Sequence, residues 1–215
     1  MKLLLGFDPG GRGHFGWAVA EYAAQPPIEL RASGCTDDAE AAIHAVRMVI
    51  DPGESVLCAG IDSPMYWTPS CSRASDQIVR RAIDQLGAPS PGGTVQHINS
   101  LRGACVVQGI VCGFLLRTWF GPLPITEAHP KALLWMLGIA TNGRPPAAVG
   151  VSDLLSLVSS RSSSTEHERD AVLAVVTAWA MLVQPKGWID LLREEVSPIL
   201  PIPEPLGYWM PIRAL

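Results

Sequence analysis

Four short stretches carry residues able to do chemistry. Asp8 follows the apolar run Lys2–Phe7 and precedes Pro9-Gly10-Gly11, so a strand ending in a turn would present its carboxylate at an edge. Asp62 stands in the same relation to Ser55–Ile61, with Ser63-Pro64 behind it. If these two strands are parallel neighbours, both carboxylates emerge at one edge, where a divalent cation would relieve their repulsion. The third stretch, Glu166-His167-Glu168-Arg169-Asp170, opens the uncharged segment Ala171–Val183. On a helix, Glu166, His167 and Asp170 share a face and Glu168 points elsewhere. An acidic first turn that complements the helix dipole is the plain alternative. A helix this apolar must pack on the sheet, however, which carries His167 and Asp170 toward the sheet edge. The fourth is Ile125-Thr126-Glu127-Ala128-His129-Pro130, with Glu127 as a further ligand and His129 orienting a phosphate or a water, or else a helix cap region.

A formal GxGxxG runs from Gly11 to Gly16. It would hold a dinucleotide only if a helix followed, because the helix N-terminus receives the pyrophosphate. Trp17-Ala18-Val19-Ala20 reads instead as a strand, and Pro26-Pro27 leaves too little chain for a crossover helix. The glycines therefore read as a turn between paired strands. Arg12, His14, Arg73, Arg80, Arg81, Arg102 and Lys131 are phosphate-contact candidates, with solvated surface charge as the bland reading. Trp67, Trp119, Trp135 and Trp179 could stack on bases, although tryptophans on apolar faces usually belong to the core.

The elements that must position these residues follow from pattern. Lys2–Phe7, Phe15–Tyr22 and Ile28–Cys35 read as a three-stranded antiparallel meander. Thr36-Asp37-Asp38 caps a helix over Ala39–Ile50, and Ser55–Ile61 is the next buried strand. Helices follow over Asp76–Leu86 and Leu101–Phe120, the latter read as a buried core helix. A short strand spans Leu123–Glu127, and a helix runs from His129-Pro130 to Leu137. Asn142–Gly150 reads as loop, Val151–Val158 as a short helix and Ser159–Thr165 as a serine-rich loop. A strong helix covers Glu166–Val183. After Ser197 come Pro198, Pro201, Pro203, Pro205 and Pro211 with no periodic pattern. The expected fold is α/β: a mixed sheet, three antiparallel strands then parallel ones, with helices on both faces. Residues 1–196 form one domain and residues 197–215 a proline-rich extension, docked or mobile.

A chain of 215 residues suits one core, and 48% hydrophobic with 17% charged residues excludes extended disorder. The net charge of -4 excludes a strongly basic nucleic-acid module without excluding a local basic patch. Cysteines at 35, 58, 71, 105 and 112 form no CxxC pair or zinc spacing and read as reduced. Ala104–Phe120 is too short and too interrupted to cross a bilayer. The expectation is a cytoplasmic protein with no membrane association.

Gly6-Phe7-Asp8-Pro9-Gly10 with Gly16-Trp17-Ala18-Val19 resembles the first strand and hairpin of RNase H-like nucleases, particularly the Holliday-junction resolvase branch. His167-x-x-Asp170-Ala171 resembles that branch's C-terminal metal-binding helix. With Ile61-Asp62-Ser63-Pro64 and Glu127-Ala128-His129-Pro130, the chain from Lys2 to about Val183 resembles a family of predicted RNase H-like nucleases. The resemblance implies a five-stranded RNase H-like sheet and hydrolysis of phosphodiester bonds with two Mg²⁺ or Mn²⁺ ions. Asp8 would bridge both ions. Asp62 and Asp170 would each hold one, with His167 or Glu127 completing the set. The resolvase branch usually carries Glu where this chain has Asp62. The implied partner is nucleic acid, DNA or RNA and possibly structured, with a homodimer possible. A non-catalytic RNase H-like binding module and an actin-like-fold ATPase are the other classes. The second needs a phosphate loop, for which Pro91-Gly92-Gly93-Thr94 is the sole glycine–threonine candidate.

Overall fold

The first strand ends in a proline–glycine turn, and two of the helices open on a capping side chain, Asp38 and Thr165. The structure, a computed structural model, describes residues 1–66, 68, 73–95, 103–137, 158–159 and 165–211. The meander is β1 (Lys2–Asp8), β2 (Phe15–Glu21) and β3 (Ile28–Thr36), antiparallel throughout. Helix α1 (Ala39–Val49) starts at Asp38, whose side chain accepts the Ala41 N–H at 2.9 Å. Strand β4 (Ser55–Ile61) returns parallel to β1, with Phe7 level with Ile61. Then come α2 (Ala74–Gln85), the single turn α3 (Pro91–Thr94), α4 (Gly103–Phe120), β5 (Ile125–Glu127) and α5 (Pro130–Met136). A two-residue strand β6 (Val158–Ser159) precedes α6 (Glu166–Val183), and β7 (Ile189–Asp190), a 3₁₀ turn (Leu191–Glu194) and β8 (Leu206–Met210) complete the order.

The sheet order is β6-β3-β2-β1-β4-β5-β8-β7. Three antiparallel strands are followed by the parallel pairs β1–β4 and β4–β5, the mixed order expected from the sequence. Among the described residues the expected five strands are eight, however. Short β6 pairs with β3, and β8 adds parallel to β5 with β7 antiparallel at its edge. Strand β8 comes from the segment read as an extension without pattern. Its sequence, Leu206-Gly207-Tyr208-Trp209-Met210, is buried on both sides and so lacks the alternation that marks a half-buried strand. The segment read as a helix over Val151–Val158 lies outside the described residues except Val158, which is in β6.

The faces of the sheet follow from the two-residue period. A Cβ on Gly60 of β4 would sit 2.1 Å from the Ala174 carbonyl oxygen of α6, so α6 covers that face. On α4, a Cβ on Gly109 would meet Ser63 at 2.4 Å and Ile61 at 3.6 Å. Ile61 and Gly60 point to opposite faces, so α4 covers the other side. Helix α4 is not the buried helix expected. Cys112 and Leu116 face the core, while Val107, Val111, Phe114 and Trp119 are exposed, because the helix forms the outer layer beside α1. Among the described residues no helix is long and apolar enough to cross a membrane.

Candidate metal centre

Three glycines bring α6 onto the sheet. Cβ atoms at Gly6, Gly16 and Gly60 would lie 2.0–2.1 Å from the backbone carbonyls of Ala171, His167 and Ala174. Only hydrogen fits there, so the helix backbone rests directly on β1, β2 and β4. Asp8 is two residues after Gly6 and Asp62 two residues after Gly60. Each aspartate therefore points to the same face as its glycine, beyond the point where α6 makes contact. Helix α6 begins over the strand ends. Its N-cap is Thr165, which accepts the Glu168 N–H at 3.1 Å, and its first turn delivers His167 and Asp170 to the same place.

Asp8, Asp62, His167 and Asp170 thus line one cavity of about 460 Å³, together with His14, His129 and Lys131. The backbone fixes Asp62 beside Asp8, for the Asp62 N–H donates to the Phe7 carbonyl at 2.8 Å and carries the β1–β4 ladder one residue further. His167 Nδ1 lies 2.6 Å from Asp8 Oδ2, and the His14 and His167 rings are 5.1 Å apart. Arg169 Nε donates to Asp170 Oδ1 at 2.7 Å, and Lys131 pairs with Glu166 at 2.8 Å.

Burial dominates the electrostatics of the cavity. Burial, and then repulsion from Asp8 and Asp170, hold the Asp62 carboxyl well above the usual range. Asp170 is pushed up to about 6, chiefly by burial, with Arg169 opposing and Asp8 adding to the rise. Asp8 is raised by burial despite the bond to His167, and that bond in turn raises His167. Lys131 acts on all three carboxylates, yet they stay raised. Buried oxygen donors still short of positive charge fit a hard divalent cation such as Mg²⁺ or Mn²⁺.

Glu127, expected as a further member, does not join the cavity. It is level with Ile61, one position short of Asp62, and so faces the opposite side of the sheet. There both of its oxygens accept from Arg73, at 2.7 and 2.8 Å. Arg73, a phosphate-contact candidate on sequence, is 3% exposed and also holds Asp76 at 2.6 and 3.0 Å. Among the described residues the trio whose ligand atoms all lie within 4.8 Å is Asp76, Glu127 and His129. The Arg73 guanidinium already supplies the cation for both of its carboxylates. Asp8, Asp62 and Asp170 are more widely spread.

The other candidates divide between surface and core. Arg12 is exposed beside Asp37, and Arg80 donates to the Val95 carbonyl at 2.7 Å. Trp135 and Trp179 are buried, the latter with its indole N–H on the Ala23 carbonyl, while Trp119 lies under Arg47. Arg102 and Trp67 lie outside the described residues. The glycine GxGxxG leads into β2, not a helix, so it builds no dinucleotide site. Sequence reasoning passed over the Tyr208 hydroxyl, which lies 3.0 Å from His129 Nδ1. Its signal was absent from local pattern because Tyr208 arrives on β8.

No family model matches the chain, and no curated protein matches it. Among solved structures it is similar to a Thermus thermophilus RuvC, with 16% identity and a TM-score of 0.40 over 85% of this chain and 96% of that one. It is likewise similar to the T. thermophilus RuvC in complex with a Holliday junction substrate, with 15% identity and a TM-score of 0.42 over 84% of this chain and 95% of that one.

Proposed function

We propose that the chain is a metal-dependent nuclease that hydrolyses phosphodiester bonds of nucleic acid at the cavity between the ends of β1 and β4 and the first turn of α6. One observation carries the reading: Asp8, Asp62 and Asp170, distant in sequence, line a single cavity in which burial raises all three carboxyls. Asp8, Asp62 and Asp170 are the ligands, and Mg²⁺ or Mn²⁺ the ions. Asp8, which lines the cavity with Asp62 and is bonded to His167, would contribute a carboxylate oxygen to the ions. When bound, such ions lower the pKa of an attacking water and stabilise the leaving oxygen. His167 holds Asp8 in one orientation through Nδ1. Lys131, at the cavity wall, offers an ammonium to a phosphate oxygen.

The test is direct. Purified protein should cleave at least one member of a panel of single-stranded DNA, duplex DNA, RNA and branched junctions when Mg²⁺ or Mn²⁺ is added. Asp8→Asn should abolish that cleavage while leaving the circular dichroism spectrum unchanged. Wild-type protein inert on the whole panel with both metals would overturn the reading.

A further inference from the structure

Glu127 has no exposure and no place in the cavity, yet its bonds run to the segment that follows Asp62. Its Oε2 accepts the Met65 N–H at 3.0 Å as well as Arg73. Arg73 also donates to the Tyr66 carbonyl at 3.3 Å. The Tyr66 hydroxyl lies 2.5 Å from Ser75 Oγ and donates to Glu195 at 3.2 Å. Glu195 in turn accepts the first N–H groups of α2, from Ala74 at 3.1 Å and Ser75 at 2.8 Å. The chain around Asp62 is thus fastened on two sides. Upstream, its own N–H is bonded to β1; downstream, Met65 and Tyr66 are bonded to a buried ion pair.

We propose that Glu127 and Arg73 are positioning residues: their ion pair fixes the turn Ser63–Tyr66 and through it holds the Asp62 carboxylate toward Asp8. The role rests on the reading of Asp62 as a metal ligand. It differs from a second metal site built of Asp76, Glu127 and His129, because Arg73 already spans the two carboxylates with four hydrogen bonds. Groups that orient a ligand without touching the ion typically change metal affinity by about 10- to 100-fold when removed. Glu127→Gln keeps an acceptor for the Met65 N–H and removes the charge that holds Arg73. Its effect belongs near the lower end of that range.

The test is Mn²⁺ alone, titrated into the full-length protein and followed by electron paramagnetic resonance, in a double-mutant cycle with Asp62→Asn. Glu127→Gln should weaken Mn²⁺ about 10-fold in the otherwise wild-type protein, and by no more than about 2-fold when Asp62 is already Asn. Equal losses in both backgrounds, or no loss in either, would overturn the positioning role. So would the disappearance of one bound ion with the affinity of the rest unchanged, which is the signature of a metal site at Glu127. If Glu127→Gln does not fold, Arg73→Lys takes its place in the cycle. It keeps the charge, loses the fork, and should give a smaller weakening with the same dependence on Asp62. Asp8→Asn serves as the separate control. Unchanged Mn²⁺ binding in that variant refutes the metal centre itself, whatever Glu127 does.

Discussion

At the scale of single residues, the cavity buries carboxyls that a cation would help to ionise. A carboxyl whose pKa is higher folded than unfolded takes up a proton on folding, so it opposes folding once it must ionise. For Asp170 that cost is absent below its ordinary 3.8 and is fully present above about 6. Asp62 and Asp8 act in the same direction. His167, raised by Asp8, contributes stability at low pH that is lost as pH rises through its folded pKa, again the same sign. His129, lowered by burial, acts in the opposite sense, but against three raised carboxyls and His167, so metal-free protein should melt at a lower temperature at pH 8 than at pH 5. Saturating Mn²⁺ or Mg²⁺ should remove most of that difference, and a melting series with and without chelator checks it. Asp62→Asn removes a charge repelled by both neighbours. The metal-free variant should melt roughly 2–4 °C above wild type for each kcal/mol of repulsion relieved. The same change should weaken Mn²⁺ binding, so stability and metal affinity move in opposite directions at one side chain.

At the scale of elements, α6 is placed by what the strands lack. Gly16→Ala would set a methyl 2.1 Å from the His167 carbonyl oxygen, and Gly60→Ala one at the same distance from that of Ala174. Both should destabilise the fold by about 1–3 kcal/mol, as overpacking does. Gly16→Ala acts on the first turn, so it should also weaken Mn²⁺ binding. Gly11→Ala is the control: nothing lies within 4 Å of its Cβ position, and its melting temperature and metal affinity should match wild type. The sequence made α6 legible to its ends, Glu166 and Val183, because an N-cap and an unbroken apolar run act locally. It made the strand ends at Asp8 and Asp62 legible for the same reason. The role of Gly6, Gly16 and Gly60 was hidden, because a close approach needs the partner helix to define it. Glu127 is level with Ile61, one position of register from Asp62, and so takes the other face. A strand-end carboxylate reads the same from sequence whichever face it takes, and Arg73, its true partner, is 54 residues away.

At the scale of the whole molecule, the sheet continues past the strands that bear the site. Strand β8 seals the far edge of β5, and its Tyr208 reaches His129 at the cavity. The last segment is thus structural, and Arg117 of α4 binds it through the Pro205 carbonyl at 2.9 Å. A chain ending at Val196 should lose cooperative unfolding and aggregate, because it leaves β5 as an open edge beside a core stripped of Tyr208 and Met210. Thermal melts with light scattering check this. The fold class was legible because the meander and the parallel return of β4 are marked by short turns and a crossover. The added strands were not, because β6 and β7 have two residues each and β8 lacks alternation.

The order of sheet assembly follows from β8. During synthesis every residue of the acidic centre emerges before this strand does, so a growing chain can gather its three aspartates while one flank of the sheet still lacks a neighbour. Ribosome-bound intermediates are then exposed to strand exchange with one another, and their safety depends on how quickly the final rung is threaded into place.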